Sequence, residues 1–243
     1  MMPTMRKLNM GTDEVSAEEF YRDPPDGVRV NMVASLDGAA AFDGRVRPLS
    51  DAVDHQLLRA LRTYADVVLV GAGTIRAERY GPAVLTEEQS RYRLEQWGLD
   101  SPPPIAVVTR TGNIPLDTPL FTGDVRPLVI TSQRTATERG SALEEVADIV
   151  VAGEGTVEMP TLIAALRDRG LRRILCEGGP TLLDDLVTHD LVDEMCLTVA
   201  PRLAGPQPQQ ATAGPTLGAP RTLSLQHVLT HDDFLYLRYG RIR

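Results

Sequence analysis

Apolar positions along this chain fall into short continuous runs separated by helical stripes. Val28 to Ala34, Asp66 to Val70, Ile105 to Thr109, Leu128 to Thr131, Asp148 to Val151 and Arg173 to Cys176 each predict a strand. Continuous runs of this kind suit the interior of a parallel sheet, buried on both faces. Between them, Val53, Leu57, Leu58 and Leu61 make one stripe of a helix that Ser50 can cap. Leu162, Ile163 and Leu166 make another, opened by Pro160 and closed by Gly170. Leu182, Leu183, Leu186 and Val187 make a third, starting at Gly179-Pro180. Beyond it the pattern alternates: Val192 to Ala200, with Met195, Leu197 and Val199 on one side, then Leu223 to Leu229 and Phe234 to Tyr239. The last two predict a hairpin about Thr230 to Asp233. The fold class is therefore α/β, a mostly parallel central sheet flanked by helices, with antiparallel C-terminal strands. Residues 1–27 read as a polar tail with one short helix starting near Ser16, residues 28–243 as a single domain, and residues 201–220 as a long mobile loop.

Composition narrows the function. Among 243 residues, 25 Lys and Arg stand against 33 Asp and Glu, a net charge of −8, which argues against a basic nucleic-acid face. Cys176 and Cys196 both sit in apolar runs and are too few for a disulfide framework. No apolar stretch approaches the roughly 18–20 residues of a membrane span, and the N-terminal residues lack the apolar centre of a signal peptide. The expected location is the cytoplasm.

Four segments carry candidate chemistry. In Glu177-Gly178-Gly179-Pro180-Thr181-Leu182, two glycines follow a strand and open a helix. That arrangement suits a pyrophosphate at the helix N-terminus, or is a tight turn that needs glycine for steric reasons. Glu177 lies at the strand's C-terminal end, where open α/β sheets bind ligands. Gly71-Ala72-Gly73-Thr74-Ile75-Arg76 resembles a dinucleotide fingerprint but has Arg76 in place of the third glycine. It reads as a plain turn or a second phosphate site, with Arg76 and Arg79 as candidates for a 2′-phosphate. Ser35-Leu36-Asp37-Gly38 ends the first strand, and Asp51 follows the Ser50 cap, where the helix dipole favours its anion. The four histidines have no metal-ligand spacing, and neither a zinc-deaminase motif, a G-x-S-x-G elbow nor a Walker A loop occurs. A cofactor must then carry any hard chemistry.

Taken in order, Asn31 to Gly38 (NMVASLDG), Leu58 to Glu78 (LRALRTYADVVLVGAGTIRAE), Arg173 to Leu183 (RILCEGGPTLL) and Leu191 to Gly205 (LVDEMCLTVAPRLAG) resemble a known family. It is the reductase (C-terminal) domain of the bacterial bifunctional riboflavin-biosynthesis deaminase–reductase, and the chain is most similar to its stand-alone actinobacterial members. The resemblance implies a dihydrofolate-reductase-like fold and an NADPH-dependent reduction of a ribosylaminopyrimidine. It implies that the Gly179 to Asp185 turn and helix start hold the NADPH phosphates with Thr74 helping, and that Val33 and Ser35 lie near the nicotinamide; Gly71, Arg76, Gly178, Gly179, Pro180, Thr181 and Leu182 complete the candidate cofactor-binding residues. Glu177 and Arg62 then contact the substrate, Arg62 at its phosphate. Asp51 takes the place of the carboxylate that dihydrofolate reductases use on a pterin's N–H edge. Asp37, Glu177 or a water supplies the proton. A cis Gly178–Gly179 peptide and a homodimer paired through the C-terminal strands are also implied. Two segments depart from the family: Ala77-Glu78-Arg79-Tyr80 replaces alanine-aspartate-aspartate-proline, and Gly44 to Leu49 lacks a tryptophan. Two rival readings follow, dihydrofolate reduction and a non-catalytic NADPH- or folate-binding protein.

Overall fold

The apolar runs form strands because they are rich in Val, Ile and Leu and are short enough to be covered on both faces. In the computed structural model, which describes residues 15–78, 80–123, 125–207 and 217–242, these are β1 (Val28–Ser35), β2 (Val67–Gly71), β3 (Ile105–Val108), β4 (Leu128–Thr131), β5 (Asp148–Val151) and β6 (Ile174–Cys176). The alternating runs are β7 (Val192–Ala200), β8 (Leu223–His231) and β9 (Phe234–Arg241). One sheet joins them in the order β5-β4-β3-β2-β6-β1-β7-β9-β8. All pairings are parallel up to β1–β7, and β9 runs antiparallel to both β7 and β8. The hairpin is tighter than expected. Thr230 and His231 belong to β8, and Asp232 and Asp233, at φ 43° and 65°, make a two-residue turn. Strand β5 is one edge of the sheet and β8 the other, and only Val150 in β5 is buried.

Among the described residues six α-helices flank the sheet: α1 (Ala52–Thr63), α2 (Ala72–Ala77), α3 (Glu87–Trp97), α4 (Gln133–Glu144), α5 (Met159–Asp168) and α6 (Pro180–Thr188). One core packs Leu57 and Leu61 of α1, Ile75 of α2 and Leu143 of α4 against the sheet. The other packs Leu162 and Leu166 of α5 and Leu182, Leu183 and Leu186 of α6 against its opposite face. Pro160 and Pro180 stand in the first turns of α5 and α6, as expected. At α1 the expectation fails by one residue: the N-cap is Asp51, whose side chain accepts from the Asp54 N–H at 2.7 Å, and not Ser50.

Residues 15–27 are tied to the sheet rather than trailing from it. The short helix expected there is a single 3₁₀ turn, Ala17–Phe20, and Tyr21 is fully buried behind it. Arg29 donates to the Tyr21 carbonyl at 2.8 Å, and Arg238 binds Asp23 at 2.7 Å. Of the expected loop at 201–220, residues 208–216 lie outside the described residues, as do Arg79 and residues 1–14.

Candidate active site

The C-terminal ends of β1, β2, β3 and β6 open onto one cleft of about 1310 Å³. A parallel sheet creates such a crevice because the chain leaves adjacent strands for helices on opposite faces. Here α2 leaves β2 on one side and α6 leaves β6 on the other, and two glycine turns meet between them.

These turns are bonded to each other. The Gly71 N–H donates to the Gly178 carbonyl at 2.9 Å, and the Gly179 N–H donates to Thr74 Oγ1 at 3.2 Å. Gly178 has φ +89°, and a Cβ added to it would lie 2.8 Å from Met32 Sδ. A Cβ on Gly179 would lie 3.1 Å from Thr74 Oγ1. No cis peptide occurs among the described residues, so the Gly178–Gly179 bond is trans, against expectation. The positive φ of Gly178 makes the turn instead. The first helical bond of α6 runs from Leu183 N–H to the Gly179 carbonyl, which leaves the Thr181 and Leu182 N–H groups without helical partners. This cradle suits the phosphates of a dinucleotide: free N–H groups at a helix start, and glycines where a side chain would collide. Thr74 serves it by fixing the Gly179 turn.

On the α1 side, Arg62 and Glu177 bind each other. Arg62 Nε and Nη2 donate to Glu177 Oε1 and Oε2, each at 2.7 Å. Tyr80 closes the group: its hydroxyl accepts from Arg62 Nη2 at 2.9 Å and donates to Glu177 Oε2. The Arg62 guanidinium also sits 5.4 Å from the centre of the Tyr80 ring. Burial raises the Tyr80 phenol well above its ordinary value, and Glu177's negative charge adds to it. Two of Arg62's three nitrogens are thereby committed to Glu177 and Tyr80, and Arg62 lines the cleft.

The buried carboxylate facing the cleft from α1 is Asp54. Its Oδ1 accepts from Thr198 Oγ1 of β7 at 2.7 Å, and its Oδ2 accepts from Ser50 Oγ. Asp51, expected in this role, lies outside the cleft lining. Its Oδ1 caps α1 and accepts from the Tyr236 hydroxyl at 3.1 Å. Sequence inspection missed Asp54, although one signal was there: it occupies a stripe position, three, four and seven residues before Leu57, Leu58 and Leu61.

Two other expected residues also stand apart. Ser35 and Asp37 are absent from the cleft lining. Ser35 Oγ donates to Asp37, and Asp37 accepts the backbone N–H of Ala204 at 3.1 Å and of Gly205 at 2.8 Å. The Ser35 hydroxyl and those N–H groups hold the Asp37 carboxyl down to about 2. Outside the cleft lining and with its carboxylate accepting three hydrogen bonds, Asp37 staples two loops and is corrected as a proton donor. Val33, Gly71, Thr74, Arg76 and residues 177–182 all line the cleft. Arg76 donates from Nη1 to the Asn113 carbonyl at 2.9 Å.

The model of the RibD C-terminal domain matches residues 27–233. The chain belongs to that family. It is 32% identical over 179 residues to the 2,5-diamino-6-ribosylamino-4(3H)-pyrimidinone 5′-phosphate reductase of Archaeoglobus fulgidus, covering 73% of this chain and 81% of that protein. The protein of the same name from Methanothermobacter thermautotrophicus is 30% identical over 179 residues, 73% of this chain and 79% of that one. Among solved structures, a pyrimidine reductase-like protein of Corynebacterium diphtheriae matches with a TM-score of 0.81 at 28% identity, over 92% of this chain and 94% of that one.

Membership in the RibD C-terminal domain family makes the chain an oxidoreductase and implies a nicotinamide cofactor, which the two-turn cradle fits. It also gives meaning to the chain's departures at Glu78 and Tyr80. Glu78 Oε1 accepts the Val46 N–H at 3.0 Å and so ties the Gly44–Leu49 loop to α2, while Tyr80 completes the Arg62–Glu177 group. No helix among the described residues is long and apolar enough to cross a membrane.

Proposed function

We propose that this chain uses NADPH to reduce a ribosylaminopyrimidine 5′-phosphate, opening the ribosyl ring to a ribityl chain in riboflavin biosynthesis. The observation that carries this reading is the placing of Asp54 and Glu177 in one cleft with the two glycine turns. The bound cofactor would supply the hydride to the sugar C1′ as the bond from C1′ to the ring oxygen breaks, and a water would supply the proton that this oxygen takes up. The chain's task is to hold the two reactants in register and to keep water out.

Each group has a distinct part. The Thr181 and Leu182 N–H groups hold the pyrophosphate at the start of α6. Val33, buried at the floor where β1 ends, backs the nicotinamide ring. Asp54 accepts N–H bonds from the aminopyrimidine edge, its orientation fixed by Ser50 and Thr198. Glu177, held by Arg62 and Tyr80, accepts hydroxyls of the opening sugar. Two copies pair through the face of β7, β9 and β8 that carries Met195, Leu197, Val199, Leu235 and Leu237. It is apolar and only half-buried in one copy.

The test is NADPH oxidation by the purified protein with the aminopyrimidine substrate and with dihydrofolate. The expected result is turnover of the pyrimidine, with kcat/KM about a hundredfold or more above that for dihydrofolate. Turnover of dihydrofolate alone overturns the reading.

A further inference from the structure

We infer that Arg110 binds the 2′-phosphate of NADPH and sets the preference for NADPH over NADH. The inference rests on the cofactor reading above and goes beyond it by naming a residue for which no sequence motif spoke.

Arg110 stands two residues past the end of β3, at the same rim of the sheet as the glycine turns, and lines the cleft beside Thr111. Strand β3 is the neighbour of β2, with Val108 opposite Gly71, and β2 is the neighbour of β6. Arg110 is thus two strand spacings, roughly 10 Å, from the phosphate turn after β6. A nucleoside ribose laid along the rim separates its 5′ and 2′ phosphoryl groups by a distance of that order.

The contrast between backbone and side chain points to a ligand. The backbone is pinned: Thr135 Oγ1 donates to the Arg110 carbonyl at 2.8 Å, and Thr131 Oγ1 donates to the Thr109 carbonyl at 2.8 Å. The Gly112 N–H donates to Thr109 Oγ1 at 3.1 Å, and Gly112, at φ +67°, closes the turn. The guanidinium is exposed and has no hydrogen bond or ion pair among the described residues. A free, always charged fork on a fixed base suits a phosphomonoester, which carries nearly two negative charges and accepts bidentate bonds. Arg76 reaches the same turn but spends Nη1 on the Asn113 carbonyl, so it braces the turn and adds charge behind Arg110.

Calorimetric titration of wild type, Arg110→Gln, Arg110→Lys and Arg76→Gln with NADPH and with NADH tests this without catalysis. Wild type is expected to bind NADPH at least about tenfold tighter than NADH. Arg110→Gln should raise the NADPH Kd at least about tenfold and leave the NADH Kd unchanged, and Arg110→Lys should keep part of the preference. Equal loosening of both cofactors, unchanged NADPH binding, or loss of preference in Arg76→Gln alone overturns the assignment to Arg110. Wild type binding neither cofactor overturns the cofactor reading itself, and with it this inference.

Discussion

Arg62 and Glu177, 115 positions apart, are joined by two parallel hydrogen bonds of 2.7 Å. One fork therefore ties α1 to the loop after β6, two walls of the cleft. Arg62's side chain is 13% exposed and Glu177's 4%. Burial opposes the Arg62 charge, but Glu177's charge and hydrogen bonds outweigh it and hold the guanidinium above its ordinary range. Arg62→Ala strands a buried carboxylate, which should cost about 3–5 kcal/mol of stability along with activity. Arg62→Lys keeps the charge but not the fork and should fall between. Denaturant titration of both variants measures this; unchanged stability in Arg62→Ala would show that the fork does not form.

The two carboxylates of α1 should separate cleanly. Asp54→Asn replaces one acceptor in the cleft with a donor, so kcat/KM should fall about a hundredfold with little change in cofactor affinity. Asp51→Ala removes the helix cap and should cost roughly 1 kcal/mol of stability with small kinetic effect. Kinetics and thermal melts on the two variants decide between them. The reverse pattern would return the substrate role to Asp51.

Gly179→Val should abolish cofactor binding while the fold persists. Its Cβ would stand 3.1 Å from Thr74 Oγ1, the acceptor that fixes the turn, and its methyls would fill the cradle. Circular dichroism and NADPH titration on one preparation check both halves. Retained NADPH affinity would place the phosphates elsewhere.

His227 gives the fold a pH dependence away from the cleft. Its ring meets Phe20 and Tyr21 edge-on, with centroids 5.2 and 4.8 Å away. Burial, then the positive charge of Arg238, lowers its pKa from 6.5 to about 4. Between those values the unfolded chain binds a proton that the folded chain refuses, so stability falls as pH drops from 6.5 to 4. The loss should be about 1–2 kcal/mol, reduced from the full linkage because the ring is partly solvated. His227→Gln should lack this component, which melts of both proteins across that range will show.

Pairing of two copies is open to a direct check. Light scattering at micromolar concentration should give a dimer mass, and Leu237→Glu, in the middle of the apolar face of β9, should give a monomer. A monomeric wild type would leave that face without the proposed cover.

The strand and helix order was legible in the sequence wherever local burial is uniform. The runs at β2, β3 and β6 are apolar because both faces are covered, and α5 and α6 carry their stripes, start prolines and leucines in plain sight. The Gly178–Gly179 turn was legible for a similar reason, since glycine followed by proline after a buried strand marks a helix start. Helices α3 and α4 went unread because their apolar stripes are thin. The capping box at Thr86 and Gln89 was the available sign of α3, and Arg93 is buried there only because it donates to the Thr63, Ala65 and Ser101 carbonyls.

Tertiary structure alone decided which polar groups turn inward. On β7 the more deeply buried set is Glu194, Cys196, Thr198 and Ala200, and the apolar Met195, Leu197 and Val199 face the other way. Glu194 is buried because Arg29 and Arg238 neutralise it, and Thr198 because Asp54 accepts its hydroxyl from 144 positions away. The same holds for Asp51 and Asp54, where chain position favours the first and packing presents the second to the cleft. Periodicity along a chain records average burial. A buried charge or hydroxyl is stable only with its partner, and these partners come from distant segments that the fold alone brings together.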